Sequence, residues 1–383
     1  MANIAAYIKE TKKKQPGVFV VDSGDMTQGT LFSEICFGEK PVFEVMNAVG
    51  YDCAALGNHE FGNGVDYIKS FREVARFPLL SANVYLDGEL VADAPVGLFN
   101  VDGVKVEVIG ITTSDDLPEG LTVSSPEKAV EKYVPALDEK ADIIVALTHL
   151  GTEEDKNLAA KYSQINVICG GHDHAALKDP IKVNNTLIIH SGYYGGYLGR
   201  LELKIDLKSK KILESKYELI DIPVKNLADD VETKRVIDKW EHKVAQFDFK
   251  IGSNPEYLSV EQLKKRIESI WQQTYKTDFA YQNLGGTRCS LAAGDIWIHH
   301  IYEIMPFDDT LFIMQLSREQ IDNVIENPEF NEDKEFYTCI TGSENLNCLR
   351  KELHVWMYPG ESQSLTISQP TAKYRFRGTV KTN

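Results

Sequence analysis

At 383 residues, 43% hydrophobic and 26% charged, the chain is long enough for two domains that each bury a full core. Its net charge of −16 excludes a nucleic acid polymer as natural partner, since no global field attracts one, but leaves room for a small anion met by a local cation. No stretch is apolar for long enough to span a bilayer, and the six scattered cysteines form no CxxC pair, which excludes a structural zinc knuckle.

In chain order, Ile4 and Ile8 ahead of the Lys12–Lys14 run predict an amphipathic helix, not a signal peptide. A strand is expected at Val18–Val21, a helix at Pro41–Val49 and a strand at Val104–Thr112. A helix over Glu127–Val134 and strands at Ile143–Leu147, Leu187–His190 and Leu201–Ile205 follow. This alternation predicts a layered α/β domain over residues 1–223. Residues 224–247 read as a connecting helix, with Val236, Trp240 and Val244 at helical spacing. Residues 248–383 form the second domain. It should contain a helix over Ser259–Tyr275 capped by Ser259, a strand over Phe279–Gln282 ending at Asn283, and a helix over Ser317–Ile325.

Five polar clusters fall where buried strands should end: Ser23-Gly24-Asp25, Gly57-Asn58-His59-Glu60, Thr148-His149, Gly171-His172-Asp173-His174 and His190-Ser191. In open α/β folds ligand sites collect at these strand ends. An Asp, an Asn and several His delivered there suit a metal centre with mixed nitrogen and oxygen ligation, which favours Zn, Mn, Fe or Co over Mg or Ca. Each residue alone has a plainer reading: Asp25 as a turn cap, His149 or His190 as a hydrogen-bonded structural histidine, Glu60 as structural. The ordered set is what carries the signal.

The clusters at Asp25, Asn58-His59-Glu60, His149 and His172-Asp173-His174 resemble the calcineurin-like metallophosphoesterases. The similarity is to their 5′-nucleotidase branch, through Asp25-Met-Thr-Gln-Gly-Thr, Ala54-Ala-Leu-Gly-Asn-His-Glu-Phe, Leu80-Ser-Ala-Asn, Asn283-Leu-Gly-Gly-Thr-Arg288 and Met305-Pro-Phe307. The resemblance implies a four-layer α/β/β/α metallophosphoesterase domain with a smaller α+β substrate-binding domain. It also implies two divalent metal ions, with Asp25 bridging them, Asn58, His149 and His172 completing the ligand set of the second metal and His174 on the first metal. It gives His59 the catalytic role, hydrogen-bonding the phosphate. Asn283 and Arg288 would contact a small nucleotide substrate, and Phe307 would stack on its base. Members of the branch are exported, to the periplasm, the surface or the medium.

Three departures from that pattern matter. Ala2-Asn-Ile-Ala-Ala-Tyr-Ile-Lys matches the helix that follows the family's Asp-x-His strand, so the chain reads as N-terminally truncated and the first metal keeps only Asp25 and His174. Gly62 stands where the branch has an Asp that orients the catalytic His; Asn63 and Asp66 are the nearby substitutes by type. The late Gly-Gly-Asp-Gly-aromatic segment is absent, leaving Tyr337, Trp356 and Tyr358 as candidates for a second stacking ring. The expected function is metal-dependent phosphoester hydrolysis, 5′-nucleotidase-like. The alternatives are a catalytically impaired nucleotide-binding module and a phosphodiesterase or nucleotide-sugar hydrolase of the same family.

Overall fold

The computed structural model describes residues 1–28, 32–115, 117–138, 140–278, 280–282, 284–307, 311–316 and 353–357. Two sheets lie at its centre. A six-stranded sheet runs in the order Ile181–Val183, Thr186–His190, Val167–Gly170, Ile143–His149, Val104–Thr112, Val96–Val101. Its four central strands are parallel. A three-stranded parallel sheet joins Val21–Asp22, Cys53–Ala55 and Leu79–Leu80.

Strand alternation distributes the core. Along Ile143–His149 every residue is buried, as expected where both faces of a parallel sheet are covered. Ile143, Val145 and Leu147 meet Cys53, Ala55, Leu80, Val106 and Val108 between the two sheets. Ile144 and Ala146 point the other way, against Val130, Val134 and Leu158 of the helices Pro126–Asp138 and Thr152–Lys161. On the opposite side Ala54 and Leu79 pack under Phe43 and Met46 of the helix Lys40–Val49, where Phe43 stacks on Phe71. The helix Ala2–Lys14 buries Ile4, Ala5 and Ile8 against Val20 and Val49, with its three lysines at the carboxyl end where the helix dipole favours cations. The layers are therefore helix, sheet, sheet, helix.

The first strand is shorter than expected. It begins at Val21, because the Val20 amide donates to the Asp52 carboxylate instead of a ladder partner. The connecting helix is Val231–Val244, with Trp240 buried and donating from its indole to Glu44. Beyond it, Lys250–Asn254 pairs with Gly294–Trp297, and the helix Val260–Tyr275 opens on a capping box at Ser259. Residues 280–282 form no strand: the Gln282 amide donates to the Glu268 carboxylate on that helix. A small core of Leu263, Leu291 and Ile304 holds this region together. The strands Phe312–Leu316 and Leu353–Met357 pair antiparallel, with Trp356 opposite Ile313. Among the described residues no helix is long and apolar enough to cross a membrane. The expected helix over Ser317–Ile325, with Tyr337 and Tyr358, lies outside the described residues.

One carboxylate links the chain's opening helix to the connecting helix. Asp230 caps Val231–Val244 by accepting from the Thr233 amide and hydroxyl, and it pairs with Lys9 at 2.7 Å. Partial burial raises its pKa, but Lys9 and the Thr233 donors outweigh this and hold it at about 2. A depressed pKa gives stability that is present above the ordinary aspartate range and lost as pH falls through the folded value. Asp230→Ala should cost about 1 kcal/mol at neutral pH, the usual loss for an N-cap. In urea titrations the difference from the unaltered chain should shrink between about pH 4 and pH 2.

Candidate metal centre and substrate cleft

Parallel pairing brings the polar strand ends to one edge. Thr112 registers with His149, Thr148 with Gly170, and Gly170 with His190. The carboxyl ends of Val21–Asp22 and Cys53–Ala55 open toward the same place. A buried network fastens the two sheets there: Thr112 donates from its hydroxyl to the Leu56 carbonyl and meets the Ser81 hydroxyl at 2.8 Å, while Asn83 donates to the Thr112 carbonyl. The Leu80-Ser-Ala-Asn motif is thus a staple between sheets.

Glu60 organises the loops. Its side chain is 1% exposed, and its carboxylate accepts from the amides of Asp25, Thr27 and Gly57 and from the Thr27 hydroxyl. Burial pushes its pKa up, with the neighbouring Asp25 charge adding to the effect. Gly57 must be glycine: a Cβ there would stand 2.2 Å from Asp25 Oδ1 and 2.7 Å from the Asp25 amide. Asp25 itself has φ of 59°, in the left-handed region that few non-glycine residues adopt.

Around Asp25 the expected residues converge. Its Oδ1 accepts from the His59 amide at 3.0 Å, and its Oδ2 lies 2.9 Å from His149 Nε2 and 3.8 Å from His59 Nε2. His149 is 2% exposed, and its Nδ1 donates to the Ser23 carbonyl at 2.8 Å. That bond fixes the tautomer, so in the neutral ring Nε2 presents a lone pair toward a carboxylate. Only a proton or a cation between them makes this favourable. Burial lowers the His149 pKa, but Asp25 beside it more than compensates and the net shift is upward. Burial likewise works to raise Asp25, yet His149 and His59 bring it down to about 2.

His172 stands edge-on to His149, ring centroids 5.2 Å apart, with Nε2 3.4 Å from Asp115. Its pKa is lowered by burial and then by His149. His174 is exposed and stacked on Tyr193 at 4.8 Å; burial and then Arg288 lower its pKa. Asn58 is buried and its Oδ1 has no hydrogen-bond partner, as is also true of His149 Nε2. Orphaned buried acceptors of this kind, one of them 2.9 Å from a carboxylate, fit a divalent ion of mixed nitrogen and oxygen preference. The fit is one of donor chemistry. Among the described residues no three His, Cys, Asp or Glu side chains are gathered tightly enough to hold an ion as they stand.

The residues expected at a substrate come together from both halves of the chain. Arg288 donates from Nε to the Tyr194 hydroxyl at 3.1 Å, and its guanidinium lies 5.6 Å from the Phe307 ring centre and 5.9 Å from that of Tyr194. Phe307 in turn meets His59 edge-on at 5.9 Å. Asn283 lies outside the described residues. Sequence reasoning missed Tyr193 and Tyr194, while Glu60 has the structural role expected of it. It also missed what orients His59: Nδ1 pairs with the Gln28 carbonyl at 3.1 Å. The Gln28 side chain fills the space beside Gly62, where a Cβ would meet its Oε1 at 1.9 Å. Gln28 belongs to the quoted Asp25-Met-Thr-Gln motif, but a backbone carbonyl leaves no mark of its role in a sequence.

Residues 1–176 match the calcineurin-like phosphoesterase family model, and residues 243–348 match the model of the 5′-nucleotidase C-terminal domain. The chain is 28% identical to Protein UshA of Yersinia enterocolitica over 80% of this chain and 68% of that protein. It is 27% identical to the trifunctional nucleotide phosphoesterase protein YfkN of Bacillus subtilis over 83% of this chain, which spans only 26% of that relative. The solved 5′-nucleotidase precursor of Thermus thermophilus superimposes with a TM-score of 0.75 at 27% identity, covering 82% of this chain and 70% of that one.

Replacing Glu60 by Gln would set an amide NH2 against two of the donors it now accepts. Glu60→Gln should lower unfolding free energy by about 1–3 kcal/mol, the cost of buried groups left unpaired. Denaturant titration checks this, and an unchanged midpoint would show that the carboxylate does not tie the two loops.

Proposed function

The chain belongs to the calcineurin-like phosphoesterases and carries their 5′-nucleotidase C-terminal domain, and from that premise we propose that it is a metal-dependent phosphomonoester hydrolase that releases phosphate from nucleoside 5′-monophosphates. The observation that carries this is the Asp25–His149 contact, an oriented imidazole lone pair against a carboxylate, with His59 Nε2 3.8 Å from the same carboxylate oxygen.

In this reading Asp25, Asn58, His149, His172 and His174 hold the divalent ions, with Zn, Mn, Fe or Co suited to the donors. A bound ion would supply an activated water and positive charge against the phosphoryl oxygens. The chain's own residues do the rest. With Nδ1–H directed to the Gln28 carbonyl, Nε2 of His59 is the nitrogen left to hold or hand over a proton at the leaving oxygen. Arg288 meets the anionic group with its parallel donors, and Phe307 offers a flat face to the base. Asn283 is assigned to substrate contact by resemblance alone. The same family likeness supports an exported site of action.

A second reading, an impaired nucleotide-binding module, draws support from the open spacing of the ligand set and from Gly62. Metal stoichiometry separates the two, because an impaired module holds one ion or none.

The purified chain should release phosphate from AMP with Mn²⁺ or Zn²⁺ added, and EDTA should stop it. His172→Ala should abolish turnover; unchanged turnover would sink the ligand assignment. His59→Ala should lower kcat by about 10²–10⁴-fold, the usual loss of a positioned acid or base. Inhibition of AMP turnover by a base-free phosphate ester as strong as by a second nucleotide would shift the substrate class away from nucleotides.

A further inference from the structure

Behind the His172–His174 loop lie three side chains, two buried and one at the surface, with no part in the reaction as proposed. His190 ends the strand Thr186–His190 and is 1% exposed; Asp155, in the helix Thr152–Lys161, is fully buried. His190 Nε2 lies 2.7 Å from Asp155 Oδ2. At the other end of the ring, Nδ1 lies 3.2 Å from Asp173 Oδ1, an ion-pair approach rather than an aligned hydrogen bond, and Nδ1 has no other partner. A ring with a carboxylate at each end is an expensive thing to bury, and an apolar filling would serve a purely structural purpose at lower cost.

The fold makes room for it. Gly170 pairs with His190 in the parallel ladder, and a Cβ on Gly170 would stand 2.1 Å from both Asp155 Oδ2 and His190 Nε2. Any side chain at Gly170 would break the contact.

What the group holds is a strained loop. His172 has φ of 84° and His174 φ of 57°, left-handed values that non-glycine residues keep only where the surroundings impose them. Asp173, between them, is the anchor. Its Oδ2 accepts from the amide and hydroxyl of Thr152 at the start of the helix that carries Asp155, and its Oδ1 accepts from the Ala175 amide. The Gly151 amide adds a bond to the Gly171 carbonyl at 3.0 Å.

We propose that Asp155, His190 and Asp173 form a positioning relay that fixes the His172–His174 loop, and with it two metal-ligating imidazoles, against the helix Thr152–Lys161. None of the three touches substrate. The proposal rests on the reading of His172 and His174 as ligands of a divalent ion.

The test is Mn²⁺ binding by calorimetry to the metal-free full chain, alongside unfolding midpoints, for the unaltered protein, His190→Gln and Asp173→Asn. Folded variants should bind Mn²⁺ about 10–100-fold more weakly, the usual effect of removing a partner behind a ligand. Lower midpoints with Mn²⁺ affinity within about threefold of the unaltered chain would mean packing alone and overturn the proposal. Should His190→Gln not fold, Asp173→Asn decides, since it changes one partly exposed atom. Weakening that disappears at about 1 M salt, where the screening length is about 3 Å, would be a simple charge effect and would equally overturn it. No Mn²⁺ binding by the unaltered chain would overturn both this proposal and the ligand reading beneath it; binding that the variants retain would overturn this proposal alone.

Discussion

The site depends on one buried carboxylate. Glu60 has to be satisfied where no water reaches it, and the groups that satisfy it are backbone amides from two loops that follow two different strands. Because those amides belong to Asp25, Thr27 and Gly57, satisfying Glu60 sets where Asp25 stands. Gly57 has no side chain because Asp25 Oδ1 and the Asp25 amide occupy its place. A different residue at 57, or a shorter acid at 60, would separate the loops before it altered any residue that meets an ion or a phosphate.

The sheets then bring the other donors to the same point. Parallel strands in register present Thr112, His149, Gly170 and His190 along one edge. The Ser81–Thr112–Leu56 contacts fasten that edge to the smaller sheet. Ser23 joins from the other side, its carbonyl fixing the His149 tautomer and its hydroxyl reaching the Cys169 carbonyl. The His149 imidazole is thus oriented by the fold itself, which is what its proposed role as a ligand requires.

Much of this was legible in the sequence, for a physical reason. Buried parallel strands need unbroken apolar runs, and polar residues placed just after such runs have few roles other than binding. Asp25, Asn58, His149 and His172 stood out on that basis; the structure puts His149 and His59 against Asp25 and His172 against His149. What escaped is of another kind. The Gln28 carbonyl that orients His59 is main chain and has no residue signature. The contact of Asp155 with His190 joins residues 35 apart through a gap left at Gly170. Tyr194 reaches Arg288 across 94 positions, a pairing no local pattern encodes. Residues 280–282 had strand-like composition, but the Gln282 amide found a closer acceptor in Glu268.

Gly62 is best understood through charge. The chain carries a net −16, and Asp25 and Asp115 already stand against the histidines of the proposed site, Asp25 against His59 and His149 and Asp115 against His172. A carboxylate at 62 would fix the His59 ring while adding one more negative charge beside it. The Gln28 carbonyl fixes the ring without that charge, and the Gln28 side chain fills the space Gly62 leaves. The exchange is coherent only if positive charge comes from elsewhere, and Arg288, held between Tyr194 and Phe307 by contacts that leave its charge unneutralised, is the cation the described residues supply there.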